Sequence, residues 1–260
     1  MVRLSKYFIL LPFLAVTLAC NSPKAIEHPN VKEEKKQKLL MIGNSFTFYW
    51  NLPQVLEMMF EHKGIKISVD QKTIGGSKLK EHWNYHLKEN YNLDSYDFVV
   101  FNDHSTYPLL ETDTCAKYLK LFTELASLHK TKPFIYGTWE YPYLKDISKN
   151  RNSNTMFKLD SLASSFNATY VPAGNAISYA EENYPELDLY MDDQKHPSPN
   201  ATYLIACVFY SMITGDSPIG LPRRFEGKNI DGKKIYYIIT ETKAAETAQK
   251  IAEKITYLER

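Results

Sequence analysis

Neither a Gly-x-Gly-x-x-Gly turn nor a phosphate-cradling lysine motif occurs in these 260 residues, so a nucleotide cofactor has no binding turn here and none is expected. Charge of one sign is also lacking. Lys and Arg total 31 against 30 Asp and Glu, and no long basic run interleaved with aromatics lies outside a Lys-rich linker. That balance argues against nucleic acid as a partner. His82 and His86 stand one helical turn apart, but Trp83 holds the place of the Glu in His-Glu-x-x-His and no third ligand is evident. No metal is expected, and both histidines read as solvent-facing. There is no internal repeat, and the longest apolar run, near the N-terminus, is too short to span a membrane comfortably.

That run has the flanks of an export signal. Arg3 and Lys6 precede Tyr7–Val16, and Thr17-Leu18-Ala19-Cys20 follows. Residues 1–20 resemble a bacterial lipoprotein signal, which implies lipidation of Cys20, although Thr17 stands where Leu is usual. Residues 21–37 are polar, charged and free of aromatics, as a flexible tether is. The remaining two of the three cysteines are Cys115 and Cys207. Cys207 lies in an apolar stretch and reads as a buried thiol, and the sequence leaves a pairing with Cys115 open.

Without residues 1–20 about 240 residues remain, enough for one sizeable α/β domain over 38–260. Strand-like runs at 38–43, 65–71, 96–102, 133–138 and 168–172 alternate with helical patterns near 52–62, 77–89, 113–130 and 153–166. Such alternation predicts a parallel sheet with helices on both faces. Further helices are expected near 174–184, 198–213 and 241–258, the last closing the sheet, with a turn at Asp231-Gly232.

The chemistry concentrates at the ends of these runs. Gly43-Asn44-Ser45-Phe46 follows the apolar Leu39–Ile42, where open α/β sheets place reacting groups. A serine hydroxyl needs an imidazole to take its proton and usually a carboxylate to orient that imidazole. Asp193-Gln194-Lys195-His196 supplies both. Gly75-Gly76 follows the second strand, and a Gly there lets backbone approach a reacting carbonyl with its N–H turned inward. Asn102-Asp103 ends the third strand, offering an amide.

Those four blocks, in this order, resemble the SGNH (GDSL-like) hydrolases, and the Gly-Asn-Ser-Phe block resembles a subgroup of exported bacterial members. The resemblance covers about residues 38–214 and implies a flavodoxin-like three-layer α/β/α sandwich with a five-stranded parallel sheet. It makes Ser45 the nucleophile, His196 the general base, Asp193 its orienter, and Ser45, Gly76 and Asn102 the oxyanion-hole donors. Asn44 replaces the commoner Asp, and Val100 occupies the place of a Gly before Asn102. Two further stretches resemble the subgroup, His82-Trp83-Asn84 and Thr138-Trp139-Glu140-Tyr141. Trp83, Trp139 and Tyr141 are therefore candidates for stacking against a sugar, or for packing the cleft wall.

The expected activity is an exported serine esterase that removes O-acetyl groups from a poly- or oligosaccharide, held at the cell envelope by its lipid alone. An acylated small molecule or glycan is the expected partner. A lipase, lysophospholipase or thioesterase with the same triad, and a non-catalytic glycan-binding lipoprotein, are the alternatives.

Overall fold

A computed structural model describes residues 36–149, 151 and 153–257. The leader, Cys20 and the tether up to residue 35 lie outside the described residues. The chain order is β1 (Gln37–Gly43), α1 (Ser45–Phe48), a 3-10 turn (Tyr49–Asn51), α2 (Leu52–His62), β2 (Ile67–Thr73), α3 (Leu79–Glu89), a second 3-10 turn (Leu93–Ser95) and β3 (Phe98–Phe101). Then come α4 (Tyr107–Leu110), α5 (Thr112–Leu128), β4 (Lys132–Tyr136), α6 (Pro142–Ser148), α7 (Thr155–Ser165), β5 (Thr169–Val171), α8 (Ala173–Asn183) and α9 (Pro199–Thr214). A hairpin of β6 (Arg224–Lys228) and β7 (Lys234–Ile239) leads to α10 (Thr242–Tyr257).

The five main strands pair in parallel in the order β2-β1-β3-β4-β5. Because side chains alternate across a strand, Leu39 and Met41 of β1 enter one core with Val100, Phe134 and Val171, whereas Leu40 and Ile42 enter the other with Val99, Phe101 and Ile135. Residues of α2, α8 and α9 fill the first core, and residues of α3, α5 and α7 the second. This is the three-layer sandwich that the sequence implies. Cys115 and Cys207 are free and buried in opposite cores, which excludes their pairing.

Helix α9 is apolar on nearly every side because it is covered on nearly every side: the sheet lies beneath it, and Ala245, Ala248, Ile251 and Ala252 of α10 join the same core. So α10 covers α9 and α8 rather than closing the sheet as expected. Among the described residues, no helix is long and apolar enough to cross a membrane.

What positions the site is the register. Ile42 pairs with Phe101 and Gly43 with Thr73, so β1, β2 and β3 end at one level. Asn44-Ser45, Ile74–Ser77 and Asn102-Asp103 emerge side by side at the carboxyl edge of the sheet.

Candidate active site

The turn that carries Ser45 is built from buried amides. Asn44 leaves β1 in extended geometry, and its Oδ1 accepts the Phe46 N–H at 3.1 Å, starting α1. Its Nδ2 donates to the Ser77 carbonyl at 3.2 Å and to the Asp103 carbonyl at 3.1 Å. An Asp could accept from Phe46 but could donate to neither carbonyl, which explains the amide at this position. Asn102 is buried beneath the same turn, its Oδ1 accepting from Thr47 Oγ1 at 3.0 Å and from the Asn44 N–H at 3.4 Å. A methyl group on Gly43 would stand 2.4 Å from Thr47 Oγ1 and 2.8 Å from Asn102 Cβ, so only glycine fits there.

The candidate base comes from the loop before α9. Ser198 caps that helix by accepting the Ala201 N–H, and the preceding residues close a tight turn in which the Met191 N–H donates to the His196 carbonyl at 2.9 Å. Ser45 Oγ–H donates to His196 Nε2 at 2.8 Å, and His196 Nδ1–H donates to Asp193 Oδ2 at 2.5 Å. Asp193 Oδ1 also accepts the backbone N–H groups of Lys195 and His196, at 3.0 and 2.9 Å. Burial pushes the Asp193 carboxyl up, but the His196 ring and these two N–H donors together hold it at about 2. Asp193 is therefore a carboxylate at neutral pH and accepts the hydrogen bond from Nδ1–H. That leaves Nε2 free to take the hydroxyl proton.

Two aromatic rings pack against the imidazole. Tyr49 stacks on its face with centroids 4.2 Å apart and planes 9° apart, and Phe46 meets it edge-on at 5.6 Å. Trp139 stacks behind Phe46 at 4.3 Å and donates its Nε1–H to the Lys195 carbonyl at 3.2 Å. Tyr49 is absent from the sequence expectations; its position four residues after the serine is the only signal that could have found it.

No protein-family model and no curated protein matches the sequence. Solved structures do match. A candidate SGNH hydrolase from Slackia heliotrinireducens superposes with a TM-score of 0.57 at 24% identity, covering 69% of this chain and 100% of its own. A DUF4886 family protein from Bacteroides uniformis superposes at 0.63 with 19% identity, covering 87% of this chain and 97% of its own. Axe2, an acetylxylan esterase from Geobacillus stearothermophilus, superposes at 0.54 with 15% identity, covering 68% of this chain and 94% of its own. The fold is that of the SGNH hydrolases.

Within this SGNH fold the three expected oxyanion donors fall into two kinds. The N–H groups of Ser45 and Gly76 have no acceptor among the described residues, and Gly76 is exposed with a φ of 69°, a backbone that favours glycine. Asn102 is more committed than the sequence implied, because Nδ2 already donates to the Asp103 carbonyl at 3.1 Å and one amide hydrogen remains.

Of the two readings of the aromatics, the contacts favour packing over stacking. Trp83 of the SGNH fold packs edge-on against Phe122 at 5.0 Å and beside His86, in the core between α3 and α5, and offers no sugar platform. Trp139 is fully buried and Tyr141 nearly so, so they build the wall behind Phe46 and Lys195 rather than a stacking face. His82 is not solvent-facing either. It is fully buried, with Nε2 2.8 Å from both Ser77 Oγ and the Gly43 carbonyl and Nδ1 3.1 Å from the Tyr91 hydroxyl. Among the described residues no group of His, Cys, Asp or Glu is arranged to hold a metal ion.

Proposed function

We propose that this chain is a serine esterase that removes O-acetyl groups from a glycan at the cell envelope. One observation carries the reading: the continuous chain of hydrogen bonds from Ser45 through His196 to a carboxylate held at about 2. In the proposed reaction Ser45 Oγ attacks the acetyl carbonyl while His196 Nε2 takes its proton. The oxyanion is held by the N–H groups of Ser45 and Gly76, with the remaining Asn102 hydrogen as third donor. Collapse of the tetrahedral adduct breaks the bond to the sugar oxygen, which takes the proton from His196 and leaves as a hydroxyl, and an acetyl-serine remains. Water, deprotonated by His196, then attacks that ester, releasing acetate and restoring Ser45. No cofactor enters these steps.

Several features support the finer parts. The similar structures include proteins described as acetylxylan esterases. The basic, apolar and small-residue order of residues 1–20 supports export, and Cys20 supports a lipid anchor to the membrane. A lipase would need a continuous Leu, Ile and Phe lining around Ser45, whereas Tyr49, Tyr141 and the charged Lys195 flank the His196 loop here. A non-catalytic binding role is disfavoured by the 2.8 Å approach of His196 to Ser45.

The test is acetate release from p-nitrophenyl acetate and acetylated xylo-oligosaccharides by the purified protein and its Ser45→Ala variant. Release that disappears in Ser45→Ala is the expected result. Release that survives the substitution overturns the nucleophile, and a folded wild-type protein inert on every ester overturns the esterase reading.

A further inference from the structure

We propose that Lys195 is a specificity-determining residue that receives the carboxylate of an acidic glycan, so that the ester substrate is an anionic rather than a neutral acetylated sugar. The inference rests on the esterase reading above and narrows its substrate class.

Lys195 immediately precedes the candidate base, and its backbone is fixed at both ends. Its N–H donates to Asp193 Oδ1 at 3.0 Å, and its carbonyl accepts from Trp139 Nε1 at 3.2 Å. The side chain is thereby aimed from a rigid base, which is what a residue that selects a ligand requires. Its ammonium lies over two rings of the site wall, 5.3 Å from the centroid of Tyr141 and 6.0 Å from that of Phe46, the residue after the nucleophile.

What this ammonium lacks is an anion. Lys78, Lys145, Lys149 and Lys234 sit 2.6 to 3.1 Å from carboxylates, but among the described residues no carboxylate pairs with Lys195. Asp193, two residues away, is committed to the His196 ring and to backbone N–H groups. Lys78 and His104 share this edge but add little positive charge to it. Lys78 follows β2 and His104 follows β3, so basic side chains reach this edge from three separate loops. Burial first, and then the charges of Lys195 and Lys78, disfavour protonation of His104, which places all three within electrostatic reach of one another. Glu81 neutralises Lys78 at 3.1 Å. Lys195, a half-buried residue, is left with no ion-pair partner among the described residues, its ammonium on the wall formed by Phe46 and Tyr141, where a ligand carboxylate would form a charge-assisted hydrogen bond.

The experiment compares kcat/KM on acetylated oligogalacturonate with kcat/KM on acetylated xylo-oligosaccharide, in wild type, Lys195→Met and Lys195→Arg. The ratio is expected to fall about 10- to 100-fold in Lys195→Met, through KM, and to be largely restored in Lys195→Arg. An equal ratio in wild type and Lys195→Met overturns the proposal. Calorimetric binding of unesterified oligogalacturonate to the same proteins separates this idea from the esterase reading, because it needs no turnover. Salt-sensitive binding that is lost in Lys195→Met supports Lys195 even where no ester is cleaved; no binding, or equal binding to both proteins, overturns it.

Discussion

Two serine–histidine pairs meet around Gly43, and in each the histidine Nε2 lies 2.8 Å from the hydroxyl oxygen: Ser45 with His196, and Ser77 with His82. Distance does not tell them apart; the groups on the other ring atoms do. His82 Nε2 is also 2.8 Å from the Gly43 carbonyl, which can only accept, so that nitrogen carries the proton and cannot take one from Ser77. Its Nδ1 faces the neutral Tyr91 hydroxyl at 3.1 Å. His196 has the opposite tautomer, because the Asp193 carboxylate claims Nδ1–H and leaves Nε2 as an acceptor. Exposure follows the same division, with the His196 side chain 17% exposed and His82 at 0%. One pair is arranged to move a proton at a surface. The other ties β1 to the loop after β2.

Removing each histidine should therefore break different things. His196→Ala is expected to lower kcat on the order of 10⁶-fold with little change in stability, as for loss of a triad base. His82→Phe leaves the Tyr91 hydroxyl without its partner and removes one of three donors to the Gly43 carbonyl, which keeps the Ile74 N–H and the Ser77 hydroxyl, at a cost of about 1–3 kcal/mol in urea unfolding with a far smaller loss of rate. Comparable rate losses in the two variants would erase the distinction. Asp193→Asn removes the acceptor that fixes the His196 tautomer, and kcat should fall about 10⁴-fold at nearly constant KM. A fall of only a few-fold would mean the tautomer is set by something else.

Asn44→Asp tests the framework shared by both pairs. It deletes the donors to the Ser77 and Asp103 carbonyls and turns a carboxylate toward them, which should cost about 2–3 kcal/mol of stability. The smallest effect is on pH. Burial lowers the His82 pKa from its ordinary 6.5, outweighing the Gly43 carbonyl, so the unfolded chain takes up the proton first. Stability should then decline as pH falls below about 6.5, with His86 and His104, also lowered, adding to the slope. The decline should be shallower in His82→Phe, as read from melting temperatures between pH 7 and pH 5.

The sheet and its long helices were legible because apolar runs and helical periodicity persist over enough residues to declare themselves. Strands β1 to β5 fall where the sequence put them, within a few residues at their ends. Helices α1 and α4 are single turns of four residues, too short for a period, and the β6–β7 hairpin showed only its Asp231-Gly232 turn. At the site, Ser45, Asp193 and His196 were legible because their chemistry demands those residue types near strand ends. The roles of Trp83, Trp139 and His82 were not, since a sequence marks an aromatic or a histidine without showing what covers it. Phe122 covers Trp83, Phe46 covers Trp139, and Gly43, Ser77 and Tyr91 enclose His82. The commitment of Asn102 to Thr47 and Asp103 likewise depends on the parallel register of β1 and β3.

The most direct test of the account is covalent labelling of the folded protein with a fluorophosphonate, followed by peptide mass spectrometry to locate the adduct. One adduct on Ser45, lost in His196→Ala, is the predicted result. An adduct on Ser77, or a folded wild-type protein that takes no label, would contradict the claim that Ser45, His196 and Asp193 form a working nucleophile.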